Sequence, residues 1–247
     1  MKVGLFIPCF MDQLYPKAAM AALEFLEKRG IDVEYPEAQT CCGQPLKNSG
    51  CDAEVTPLAQ RFHDIFSDYD YVVCPSGSCT SMVRHHYDHH LDPTSHGTLK
   101  NKVYEFCEFL HDVLKVDDID ASFPHRVGLH QSCHGLRELR LGSSSELHGT
   151  SFSKVKSLLH QVRDLQLVEL ERSDECCGFG GTFAIAEESI SCSMGRDRIE
   201  DHKSAKAQVI TGVDSSCLMH LEGLIKRSGE TLPTVHVAEI LNGSAEL

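Results

Sequence analysis

One figure of cysteines occurs twice in this chain: a lone Cys, a vicinal Cys-Cys-Gly, and a final Cys after a comparable gap. In the first half it is Cys9, Cys41-Cys42-Gly43 and Cys79; in the second it is Cys133, Cys176-Cys177-Gly178 and Cys217. Each half therefore supplies four thiols from three separate segments. Thiolates converging from distant segments are what a soft metal ion or an iron–sulfur cluster requires. A fold that serves them has to gather those segments at one end of each half.

The vicinal pair narrows the local geometry. Neighbouring side chains on a strand point to opposite faces, and on a helix they diverge by about 100°. Two adjacent Cys serving one site therefore sit on an irregular turn. Gly43 and Gly178 follow where such a turn calls for positive φ or close backbone approach. The second pair continues as Cys176-Cys-Gly-Phe-Gly-Gly181 and the first as Cys41-Cys-Gly-Gln-Pro45. Backbone N–H groups freed in such loops can donate to sulfur.

Disulfides are the competing use for 12 Cys. The apolar run at residues 3–8 is too brief for an export signal, and no stretch approaches a membrane span, so a cytoplasmic location is expected. In that setting the repeated figure favours metal over disulfide. A formal charge of -13 with no basic run excludes nucleic acid as an expected partner and suits a partner with a basic surface. The chain also lacks the closely spaced Cys run of a ferredoxin and a Gly-rich dinucleotide fingerprint, so it presents no flavin or nicotinamide site.

Periodicity supplies the frame. Strands are expected at 3–8, 32–35 and 71–75 in the first half and at 126–131, 166–171 and 208–211 in the second. Helices are expected at 16–28, with Ala19, Leu23 and Leu26 on one stripe and Gly30 as its stop, and at 152–163. Strands alternating with helices give parallel α/β units, whose sites lie beyond the carboxyl ends of the strands. Every cysteine of the figure falls there. The halves also end alike, aligning Glu108 with Glu239, which predicts a duplication with units at 1–121 and 122–247. The Ser- and Gly-rich segment 142–151 reads as a surface loop.

These residues resemble the cysteine-rich CCG family, found in heterodisulfide reductases, in the iron–sulfur components of glycolate and glycerol-3-phosphate dehydrogenases, and in lactate-utilisation proteins. The last group is nearest. The likeness runs end to end and rests on Ile7-Pro-Cys9, Cys41-Cys-Gly-Gln-Pro45, Ser76-Gly-Ser-Cys79, Cys133-His-Gly-Leu-Arg137, Cys176-Cys-Gly-Phe-Gly-Gly181 and Asp214-Ser-Ser-Cys217. It implies two tandem, pseudo-symmetric Rossmann-like α/β domains. It also implies two [4Fe-4S] clusters on Cys9, Cys41, Cys42, Cys79, Cys133, Cys176, Cys177 and Cys217, and partner subunits with which L-lactate is oxidised to pyruvate. One departure matters. The fullest motif ends in Cys-x-x-Cys, but Ser76 and Asp214 stand where the first of those Cys would be, which counts against five-thiolate clusters.

Three readings stay open: an electron-transfer subunit, a heterodisulfide or thiol reductase-type subunit, and a structural zinc protein with four cysteine ligands per ion, for which widely separated vicinal ligands are unusual. Cys51, Cys107 and Cys192 lie outside the figure, and Cys74 stands two residues too early for it. In 84–90, His85 with His89 and His86 with His90 have helical i, i+4 spacing. With no third ligand identifiable they read as a His-rich helix face. His134 and Arg137 follow Cys133 closely enough to neighbour the second site.

Overall fold

Short apolar runs form the strands. In the first half these are β1 (Lys2–Leu5), β2 (Asp32–Glu34), β3 (Tyr71–Cys74) and β4 (Val103–Glu105). They pair in the order β2-β1-β3-β4, all parallel. The second half repeats the pattern with β5 (Arg126–His130), β6 (Gln166–Val168), β7 (Val209–Gly212) and β8 (Thr234–His236), ordered β6-β5-β7-β8. The chain is therefore an α/β protein of two matching parallel sheets, in a computed structural model that describes residues 1–146 and 151–247. Part of the loop expected at 142–151 thus lies outside the described residues; its flanks are joined by an antiparallel bridge from Gly142 to Ser153.

Strand register equates the halves residue by residue. Leu5 lies opposite Val73 and Leu129 opposite Thr211, so Phe6 and His130 hold corresponding places. Cys74 pairs with Glu105 and Gly212 with His236, which brings Glu108 and Glu239 into correspondence as expected.

Parallel strands covered on both faces alternate between two apolar layers. Val3, Leu5 and Val73 of the first sheet join Val127, Leu129 and Val209 of the second in one continuous core. Val72 and Cys74 face a layer belonging to the first half, and Ile210 faces one belonging to the second. The shared core also takes in helix Pro16–Lys28. Pro stands in its first turn, and Ala18, Ala21, Ala22, Phe25 and Leu26 are buried. That stripe is rotated about one residue from the expected one, since Ala19 and Leu23 sit at its partly covered edge. The helix packs on Val237–Asn242 of the other half, where Lys28 Nζ donates to Asn242 Oδ1 at 2.7 Å. The matching contact sets Lys154–Leu159 against Phe106–Glu108, so each half completes the other's core. Among the described residues no helix is long and apolar enough to cross a membrane.

Candidate metal centres

Each cysteine of the figure emerges just past a strand end. Cys9 opens helix Cys9–Leu14 beyond β1, and Cys79 lies in the first turn of Gly77–His86 beyond β3. In the second half Cys133 precedes a π-turn at His134–Glu138 beyond β5, and Cys217 lies in the first turn of Ser215–Ser228 beyond β7. The vicinal pairs occupy irregular loops after β2 and β6, as adjacency demanded.

The thiols of each half contact one another in a chain. Cys9 Sγ lies 3.6 Å from Cys41 Sγ, and Cys42 Sγ lies 3.4 Å from Cys79 Sγ. Cys41 accepts from Cys42, from Cys9 and from the Gly43 N–H, so its thiol is held far below the ordinary range, at about 3. Cys176 stands in the same position: Cys133, Cys177 and the Gly178 N–H donate to it and pull it to about 2. The remaining thiols of the pairs are pushed upward, Cys42 by its side-chain contacts with Cys41 and Cys79 and by burial, Cys177 by its side-chain contacts with Cys176 and Cys217 and by burial. Each half thus holds one thiol whose neighbours favour its ionised form. That is a soft, proton-releasing donor set for a metal centre.

The glycines do what the sequence required. Gly43 has φ +86° and Gly178 φ +89°, and their N–H groups donate to Cys41 Sγ at 3.4 Å and Cys176 Sγ at 3.3 Å. They differ in crowding. A Cβ on Gly178 would stand 2.6 Å from the Ser191 carbonyl oxygen, whereas one on Gly43 would meet only Leu58 and Val55 side chains, at 3.3 Å or more. Gly43→Ala should therefore cost about 1–2 kcal/mol of stability, the left-handed penalty alone. Gly178→Ala should cost more than that, because backbone has to move as well. Chemical denaturation of the two variants checks the order.

Both thiol sets line a single cleft between the halves. Phe10 and Phe179 border it with rings 6.0 Å apart at 89°. The two positions that depart from the fullest motif meet here. Ser76 Oγ–H donates to Asp214 Oδ1 at 2.9 Å, and Ser78 N–H donates to the same oxygen at 2.8 Å. Where a further Cys could have stood in each half, the chain has an inter-half clamp. Gln44 and His134 add a side-chain contact at 3.0 Å across the same seam.

Most of the other residues singled out in the sequence fall outside the cleft. Cys74 is fully buried beneath it, its thiol directed at the Ser76 carbonyl at 3.7 Å. Cys107 is in the shared core, Cys51 is exposed and Cys192 is half-buried against the second half's own core. His134 does line the cleft, with Nδ1 3.9 Å from Cys133 Sγ, but Arg137 turns to Glu146. The helix carrying His85 and His86 ends at His86, which removes the i, i+4 relation to His89 and His90. His90 instead contacts Thr56 at 3.1 Å.

Three residues were not legible beforehand. Arg198 is fully buried, donates to the Arg172 carbonyl and pairs with Asp201. Asp201 in turn accepts from the Glu171 and Arg172 N–H groups at 3.1 Å, which fixes the approach to Cys176. The third is His130. A ring nitrogen of His130 and the thiols of Cys177 and Cys217 lie within 4.8 Å of one another, all three residues buried. Burial and the nearby Arg198 charge push the imidazole down to about 4, so the ring is neutral.

Comparison with known proteins agrees with this geometry. The CCG cysteine-rich domain matches twice, at residues 3–84 and 127–222. Lactate utilization protein A of Geobacillus kaustophilus (strain HTA426) is 41% identical over 247 residues, covering 98% of this chain and 99% of that protein. The protein of the same name from Bacillus pumilus (strain SAFR-032) is 38% identical with the same coverage. Among solved structures, a hypothetical protein from Helicobacter pylori shares the fold with a TM-score of 0.56 at 11% identity, covering 100% of this chain and 49% of that one. With two matched repeats and relatives alike from end to end, this chain belongs to the CCG cysteine-rich domain family.

Proposed function

We propose that the chain is the iron–sulfur electron-transfer subunit of a complex that oxidises L-lactate to pyruvate. The observation that carries this reading is the convergence of eight cysteines, four from each half, on one cleft at the strand ends. Cys9, Cys41, Cys42 and Cys79 would hold one [4Fe-4S] cluster, and Cys133, Cys176, Cys177 and Cys217 a second, each within its own unit, 1–121 or 122–247. The donor set fits: soft thiols, one in each half shifted toward ionisation by its neighbours, with Gly43 and Gly178 N–H groups turned toward sulfur. Bound there, such clusters supply one-electron redox capacity.

The protein's own part is to hold, insulate and join the two sites. Phe10 and Phe179 limit water at the cleft. Asp214, held by Ser76 and Ser78, fixes the spacing of the two halves. The lactate assignment rests on the relatives' shared name and full-length likeness, and it carries the expectation of partner subunits in the cytoplasm. Deleting the gene should impair growth on L-lactate and leave growth on pyruvate normal. Normal growth of that strain on lactate, with no other lactate dehydrogenase present, would move the assignment to another CCG-dependent oxidoreductase.

A further inference from the structure

The halves match in strand order, cysteine spacing and turn glycines, yet the floors of their sites differ. Beneath the first set, Phe6 is fully buried and packs edge-on against Phe62 at 5.0 Å and Phe66 at 5.8 Å. The corresponding residue beneath the second set is His130, 2% exposed, with a ring nitrogen within 4.8 Å of the Cys177 and Cys217 thiols. Its Nε2 is buried and has no hydrogen-bond partner. A buried polar nitrogen left unpaired is destabilising, so a polar floor on one side alone calls for something that pairs with it.

We propose that the His130 imidazole donates a hydrogen bond to sulfur of the second centre, and so makes the two centres unequal. This inference rests on the iron–sulfur reading. Four thiols already satisfy a cubane, which leaves the imidazole the role of donor and makes His130 a positioning and tuning residue. An N–H donated to cluster sulfur stabilises the more negative, reduced state and raises the potential. The His130 donor therefore raises the potential of the second centre above that of the same centre with phenylalanine at this position. Arg198 is paired with Asp201, and Asp214 lies between the halves, bonded to Ser76 and Ser78 of the first while three residues from Cys217 of the second.

The test uses the full chain with Cys41→Ser, which leaves the second centre alone to be observed. In a reductive titration followed by paramagnetic resonance, His130→Phe, which copies the first half, should shift the remaining midpoint potential to more negative values. His130→Gln, which keeps an N–H, should hold it near the parent value. With 15N-labelled histidine, pulsed resonance should show nitrogen coupling at this centre, lost in His130→Gln although the potential is retained. A filled second centre whose potential is unmoved by His130→Phe, or that shows no coupling dependent on His130, overturns the proposal and leaves the proposed function intact. A second half that binds no iron–sulfur cluster overturns both. Should His130→Phe fail to fold, the labelled parent and His130→Gln decide the matter.

Discussion

Cys41→Ser should remove about half of the bound iron and leave the signal of the second centre unchanged. Within the first half Cys41 accepts from Cys42, Cys9 and Gly43, all of which favour its ionised, metal-binding form. A serine oxygen there is hard, stays protonated at neutral pH and replaces none of this. The loss should stop at half because the cysteines that perturb Cys9, Cys41 and Cys42 all belong to their own set, and those that perturb Cys133, Cys176 and Cys177 to the other. Cys51→Ser, Cys107→Ala and Cys192→Ser are the controls: all three lie outside the cleft, and iron content should stay near that of the parent. Loss of all iron from folded Cys41→Ser protein would mean one centre shared across the cleft that both sets line.

The purified chain, with both centres filled, should fail to oxidise L-lactate. Lactate oxidation removes two electrons with a hydride or with separate protons, and the chemistry begins at a base or hydride acceptor beside a held carboxylate. Among the described residues the cleft lining is cysteine with Pro8, Phe10, Met11, Pro45 and Phe179, small residues, the amides of Gln44 and Asn48, and one imidazole, His134. A substrate carboxylate is ordinarily gripped by Arg or Lys. Iron–sulfur signals should thus be reduced by lactate only when the partner subunits are present. Rapid lactate-dependent reduction of the chain alone would contradict an electron-relay role.

What could be read in the sequence was local, and what could not was relational. The cysteine figure, the turn glycines and the strand-end placement each depend on a few adjacent residues, and all are present in the fold. Strand ends were overrun, as at residues 6–8, because the apolar run continues into the loop that delivers Cys9 while ladder pairing stops at Leu5. Helix Glu188–Ser204 gave no apolar stripe because its buried face is Ser191, Gly195, Arg198, Ile199 and His202. Such a face makes sense only against the polar floor of the second site. Ser76 and Asp214 each looked like a missing cysteine; their bond to one another exists only once the two halves meet. His130 closes a plain apolar strand, Arg126–His130, and only register against the other half shows that it replaces a phenylalanine.

Iron and acid-labile sulfide, counted on protein purified without oxygen and paired with paramagnetic resonance after reduction, test the central claim most directly. Two cubane centres predict about eight iron and about eight sulfide per chain, a brown protein, and resonance from reduced clusters. A colourless protein carrying zinc and no sulfide would show that the same eight thiols build four-thiolate structural sites, and would contradict the account.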